Sequence, residues 1–416
     1  MQTFTIKAAL ALAYLVFAVL LNSVGAVILQ SGEYFHVGKV AASTLEASKD
    51  LTIAVVSFLV ASYLPRLGYR HGMIAGLVLV GLACVAMPLL DAFWMARMLF
   101  VAVGIGFAVV KVGAYSAIGL LAPTPREHAS LLNLIEGVFM LGVLGGFWLF
   151  SAFIDPGHPG SGRWLHVYWW LAGGCAASAL LLVLARLDES AAGGSLPAPS
   201  PVAALRAMRA LAFEPVTLAF IPAVFCYVLI EQGIGSWLPT FNRQLLNLSA
   251  PLSIQAASIF AGGLAIGRLG AGAIVRKMGW YQLLIGCLVG MGALILVALP
   301  LARMTHGAPV AHWADAPWAA IVFPLVGVFM APIYPAINSA VLSAMPPARQ
   351  STMVGLIVVV SALGGTTGSL IVGRTFALAG GTWAFYLLLV PLAALLAAVV
   401  ALRRSVSKRS AHPELV

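Results

Sequence analysis

Twelve apolar stretches follow one another along this chain, each close to the roughly 20 residues a helix needs to cross a hydrocarbon layer about 30 Å thick. In lipid every backbone N–H and C=O must find its partner inside the protein, so consecutive spans of this kind are restricted to helices. The strand-like alternation that marks a β-barrel wall is absent. Cutting at charged or Pro/Gly-rich connectors predicts helices over 5–30, 43–64, 72–90, 97–121, 129–153, 165–186, 214–239, 252–275, 281–301, 316–342, 351–374 and 382–402. Composition agrees, with 62% hydrophobic and 9% charged residues against about 25% charged in soluble domains. The expectation is an all-α membrane protein.

Lys and Arg settle the orientation. Lys7, Arg66, Arg70, Arg126, Arg186, Arg206, Arg209, Arg276, Lys277, Arg349, Arg403, Arg404, Lys408 and Arg409 fall on one side, and Lys39, Arg97, Arg163, Arg243, Arg303 and Arg374 on the other. Fourteen against six places both termini in the cytoplasm of a bacterial-type inner membrane. The same bias explains the net charge of +10: the basic residues are dispersed in short connectors, so no nucleic-acid partner is expected. The N-terminal apolar run is too long for a signal-peptide core and reads as the first helix.

The connector "DESAAGGSLPAPSPVAALRAMRA" lies midway and has a linker's composition. It separates an N-terminal bundle (1–187) from a C-terminal bundle (214–402), with a linker over 188–213 and a cytoplasmic tail over 403–416. An internal repeat supports the halving: "PRLGYRHGMIAGLVLVG" recurs as "VRKMGWYQLLIGCLVG", "APTPREHAS" as "AMPPARQST", and "GVFMLGVLGG" as "VVVSALGGTTG". The fold expected is therefore twelve transmembrane helices in two pseudo-symmetric six-helix bundles, with a substrate site at the repeat interface near the midplane.

At this point the chain resembles the major facilitator superfamily over essentially its whole length. "GRLGAGAIVRKMG" (267–279) looks like the superfamily's Gly/Arg motif, with "PRLGYRHG" as its weaker counterpart. Within the superfamily, "YVLIEQGIGSWLPTF", "GVFMAPIYPAINSAVLSAMP" and "LLNLIEGVFMLGVLGG" resemble helices 7, 10 and 5 of the fucose permease group of sugar:proton symporters. That resemblance implies proton-coupled sugar transport, and it implies that Arg268 and Arg276 act as a conformational gate on the inward side. There are departures: the group carries acids in helices 1 and 4, where this chain has Asn22 and Lys111.

Glu46, Lys49, Asp50, Lys111, Glu136 and Glu231 all fall inside spans. At about 2.5–3.5 kcal/mol each, six isolated charges would oppose insertion by roughly 15–20 kcal/mol, so they belong in the bundle interior or a wet cavity. Glu46, Lys49 and Asp50 share a face of helix 2 by their spacing; the surplus carboxylate is either a proton carrier or part of a local salt bridge. Lys111, well inside a glycine-rich helix 4, needs a partner, for which Glu136 and Asp50 are the candidates. It either binds substrate or forms a permanent ion pair. Glu136 is the first choice for proton coupling, followed by Asp50, Glu46 and Glu231. Lys111, Lys49, Asn22, Asn133, Gln232, Trp237, Tyr334 and Asn338 are the substrate-binding candidates. For Trp237 interfacial anchoring is the alternative, and for the asparagines and Tyr334 interhelical packing. Pro332 and Pro335 should break helix 10.

No His lies deep in a span, no GxxxxGK[ST] signals an ATP motor, and no clustered metal-ligand spacing occurs. Cys84, Cys175, Cys226 and Cys287 read as small packing residues. The reading is a transporter, not an enzyme, with no cofactor beyond the coupling proton. A monomer in the lipid bilayer is expected, carrying a small polar metabolite (sugar, sugar derivative or sugar acid) by proton symport. The rivals are a proton-driven efflux antiporter and a non-transporting sensor.

Overall fold

The computed structural model describes residues 2–122, 124–185, 187, 189, 201–304, 309–343 and 345–411. The chain divides into two compact units, the first drawn from Met1–Val37 and Ser48–Pro201, the second from Gly38–Ala47 and Val202–Val416. The helices in order are α1 (Gln2–Asn22), α2 (Val24–Glu33), α3 (Lys39–Ala42), α4 (Thr44–Leu67), α5 (Tyr69–Leu90), α6 (Phe93–Leu121), α7 (Pro125–Ala152), α8 (Val167–Leu184) and α9 (Pro201–Ala212). They continue as α10 (Pro215–Leu245), α11 (Ala250–Met278), α12 (Trp280–Arg303), α13 (Ala319–Val322), α14 (Val326–Met330), α15 (Ile333–Ser343), α16 (Pro347–Ala379), α17 (Gly381–Tyr386) and α18 (Leu389–Ala411). Eleven helices of the described residues are long and apolar enough to cross a membrane. The remaining member of the predicted twelve is α4, whose first seven residues include Glu46, Lys49 and Asp50.

In the first unit α1 packs on α7 and α8, and α5 packs on α6 and α8. In the second, α10 packs on α16 and α18, and α11 on α14. Apolar side chains give little drive for association between helices in lipid, so close backbone approach takes its place. A Cβ on Gly142 of α7 would stand 2.7 Å from the Leu15 carbonyl of α1, and one on Gly364 of α16 would stand 2.6 Å from the Phe225 carbonyl of α10. Gly146 and Gly368 repeat these contacts one turn later. These glycines lie in the third pair of repeated motifs, so the sequence duplication reappears as the same G-x-x-x-G seam in each unit.

Several boundaries differ from the sequence reading. The first span breaks at Ser23, whose hydroxyl donates to the Leu20 carbonyl at 2.8 Å, so α1 and α2 replace one helix over 5–30. The span over 316–342 breaks at Pro332, between α14 and α15, whereas Pro335, expected to break it too, lies inside α15. The segment set aside as a tail continues α18 as far as Ala411, and part of the expected linker is the helix α9; residues 190–200 of that linker lie outside the described residues. Finally, Gly38–Ala47 belongs to the second unit, with α3 packed on α16; hydropathy cannot reveal which bundle a segment joins. At the start of α5 the Glu189 carboxylate accepts the Tyr69 and Arg70 backbone N–H groups at 3.0 and 2.8 Å, which satisfies donors a helix start leaves open.

Candidate functional site

The first unit gathers its chemistry where α1, α6 and α7 meet. Phe107, Lys111 and Tyr115 are spaced four apart and so form one stripe along α6. The Tyr115 hydroxyl donates to Glu136 Oε1 of α7 at 2.7 Å. The Lys111 ammonium lies 5.6 Å from the Phe107 ring centroid and 5.9 Å from that of Tyr115. Further rings close the wall: Phe139 lies 6.2 Å from Phe107 and 6.1 Å from Tyr14, and Phe17 lies 5.8 Å from Phe107. The Tyr14 hydroxyl is buried and has no partner among the described residues. Glu136 is half-buried, while Lys111, Tyr115 and Asn133 are open at the surface of the unit.

The expected ion pairs of Lys111 are not made: among the described residues its ammonium closes none. Glu136 is held by a phenol, and Asp50 lies 3.5 Å from Lys49. Cation–π contact returns about 0.5–2 kcal/mol against an insertion cost of about 2.5–3.5 kcal/mol, so the rings compensate this lysine only in part. Lys49 also donates to the Leu21 carbonyl at 3.3 Å. That carbonyl sits in the last turn of α1, where helix carbonyls lack a partner of their own; the break at Ser23 thus gives Lys49 an acceptor. Asn22 turns its amide onto the Ala18 carbonyl at 2.9 Å, within its own helix.

The three charges of α4 divide between the two units. Glu46, fully buried, belongs to the second unit, where its Oε2 accepts from the Ser236 hydroxyl of α10 at 2.6 Å. Lys49 and Asp50 belong to the first. Unit membership changes between Ala47 and Ser48.

A second polar cluster spans α10, α11, α15 and α16. The Tyr227 hydroxyl donates to Glu231 Oε1 at 3.2 Å, and Arg268 Nη2 lies 3.7 Å from the same oxygen. The Tyr227 and Tyr334 rings lie 5.4 Å apart, and the Tyr334 hydroxyl is 3.2 Å from the Ser361 hydroxyl. Asn338, one turn beyond Tyr334, has a buried Oδ1 without a partner among the described residues. Gln232 is half-buried beside Glu231. Arg268 stands ten residues, or roughly 15 Å, before the end of α11. The side chain of Arg276 lies outside the described residues.

Trp237 is enclosed by protein. It is 0% exposed, its indole N–H donates to the Ser369 carbonyl at 3.0 Å, and its ring lies 5.7 Å from Phe376. It is a packing residue between α10 and α16, with no face left for a ligand or for the interface. Sequence reasoning passed over Tyr115, Tyr227 and Ser236, although each tyrosine stands four residues from a charged group it serves on the same helix.

Two helical bundles with ionisable side chains gathered inside their spans define a polytopic membrane protein whose interior is chemically active. The Major Facilitator Superfamily model matches residues 10–369, and the chain belongs to that superfamily: it is a transporter, not an enzyme. Among solved structures it is similar to the nucleoside transporter NupG, with TM-score 0.71 and 12% identity over 97% of this chain and 98% of that one. A D-xylose-proton symporter gives TM-score 0.70 and 13% identity over 97% of each chain. FucP, a superfamily transporter in the outward conformation, gives 0.60 and 16% over 97% and 99%. At these identities the likeness is one of fold. No curated protein matches the sequence.

Proposed function

We propose that this transporter moves a small polar metabolite, a sugar, sugar derivative or sugar acid, together with protons by alternating access. The observation that carries this reading is Glu136: a carboxylate inside a span whose hydrogen bond comes from a phenol, Tyr115, and not from a cation. A carboxylate locked to an arginine keeps its charge through a transport cycle. One held by a neutral donor has no cation to give up, so taking a proton breaks no ion pair. The resemblance of the α10 and α15 segments to the sugar:proton symporter group supports the substrate class.

Purified protein in vesicles tests the coupling. An inward proton gradient should drive accumulation of a transported sugar or sugar acid, and Glu136→Gln should abolish the gradient-driven part while leaving exchange of substrate across the membrane. Uptake that ignores the gradient, or an unchanged gradient response in Glu136→Gln, overturns the assignment. Substrate driven outward as protons enter would establish the efflux antiporter instead.

A further inference from the structure

We infer that Lys111 is an anion subsite, and that the substrate is a small organic monocarboxylate whose body lies against the rings of Phe107, Tyr115 and Phe139. This rests on the proton-coupled reading above and narrows its substrate class. Lys111 is exposed on α6, its ammonium has ring contacts but no ion pair among the described residues, and the nearby Glu136 is taken up by the Tyr115 hydroxyl. A cation so placed accepts a carboxylate without first breaking an ion pair. The rings on either side of it suit a planar body or the C–H face of a sugar ring.

The arrangement also sets the charge balance. Lys111 lies within electrostatic reach of Glu136, as does Tyr14 from α1, and Tyr115 contacts the carboxylate directly. Among the described residues, Glu136 is the charged group that acts on Lys111. On the far side of α6, α5 sets Met73 against Gly113 and Gly76 against Gly106, and the Lys49–Asp50 pair of α4 lies near Gly104, seven residues away along α6. By formal charge, Lys111 and Glu136 balance when the site is empty. Adding a carboxylate on Lys111 makes it negative, and one proton on Glu136 restores zero. Substrate carboxylate and proton therefore enter as a neutral pair, and binding of each promotes binding of the other. Tyr115 links the two, with its ring against Lys111 and its hydroxyl on Glu136.

Thermal-shift and calorimetric titrations on the full-length detergent-purified protein test this with matched probes: glucuronate against glucose, benzoate against benzamide, and lactate against propane-1,2-diol. At least one carboxylate should bind tenfold or more tighter than its neutral partner. That preference should vanish in Lys111→Gln and persist in Lys111→Arg, with wild-type melting retained in both. Affinity for the carboxylate should rise by up to about tenfold per unit fall in pH, and become flat in Glu136→Gln. If no carboxylate is preferred, or if the preference survives Lys111→Gln, the inference is overturned. Should a neutral sugar bind with a pH dependence that Glu136→Gln removes, the anion subsite falls and the proton-coupled reading stands. Carboxylate binding through Lys111 that ignores pH upholds the subsite and removes the coupling.

Discussion

Adding one methyl group at Gly368 measures how tightly the second unit is built. A Cβ there would stand 2.9 Å from both the carbonyl carbon and the Cα of Leu229, and closer still to its carbonyl oxygen. These are backbone atoms of α10 facing the backbone of α16, so no rotamer change relieves the overlap and one helix must shift. Overpacking of this kind costs about 1–3 kcal/mol, partly offset by the 0.5–1 kcal/mol that Ala gains over Gly in a helix interior, a net loss of roughly 1–2 kcal/mol. For a unit of about 200 residues each kcal/mol moves the melting temperature by roughly 2–4 °C, so Gly368→Ala should melt roughly 2–8 °C lower. Gly145 of α7 supplies the control, since a Cβ there meets nothing within 4 Å. Gly145→Ala should be neutral or melt slightly higher. Differential scanning fluorimetry in one detergent reads both variants. If Gly368→Ala melts at or above wild type, the close seam between α10 and α16 is not what holds this unit together.

Two further outcomes are expected. Trp237→Phe removes a buried N–H donor and part of a large ring, so it should lower melting by several degrees while leaving the affinity for any bound probe unchanged; loss of affinity at unchanged stability would return Trp237 to the substrate site. Outside the spans, the Tyr34 hydroxyl donates to Asp91 at 2.5 Å, and that bond pushes the phenol from 10.0 up to about 12. Because the folded state favours the protonated phenol, its contribution is complete below pH 10 and is lost as pH rises through about 12. Tyr34→Phe should therefore flatten the alkaline limb of the melting temperature against pH, and an identical limb in both proteins would remove the role given to this bond.

Much of the candidate site was legible in the residue types. A Lys in the middle of an apolar span and a Glu in the next one stand out by cost alone, and Lys111 and Glu136 do lie in one neighbourhood. What could not be read was that they do not pair directly. Tyr115 is unremarkable in an apolar helix, and its insertion between the two charges depends on how α6 and α7 are rotated about their axes. The fourfold spacing of Lys111 to Tyr115, and of Tyr227 to Glu231, was the available signal. The motif around Arg268 drew attention to the helix end, while the chain alone gave no sign of its contact with Glu231.

Hydropathy is a property of consecutive residues, so the chain alone determined its helical membrane architecture, its duplication and the presence of charges that must be sheltered from lipid. The partners of those charges depend on crossing angles and helix rotation, set by glycine seams and breaks such as Ser23 that bring residues far apart in sequence within 3 Å. Only the tertiary structure, accordingly, decided that Glu46 serves the second unit, that Trp237 packs between α10 and α16, and that Lys111 faces rings and makes no direct ion pair with a carboxylate of the described residues.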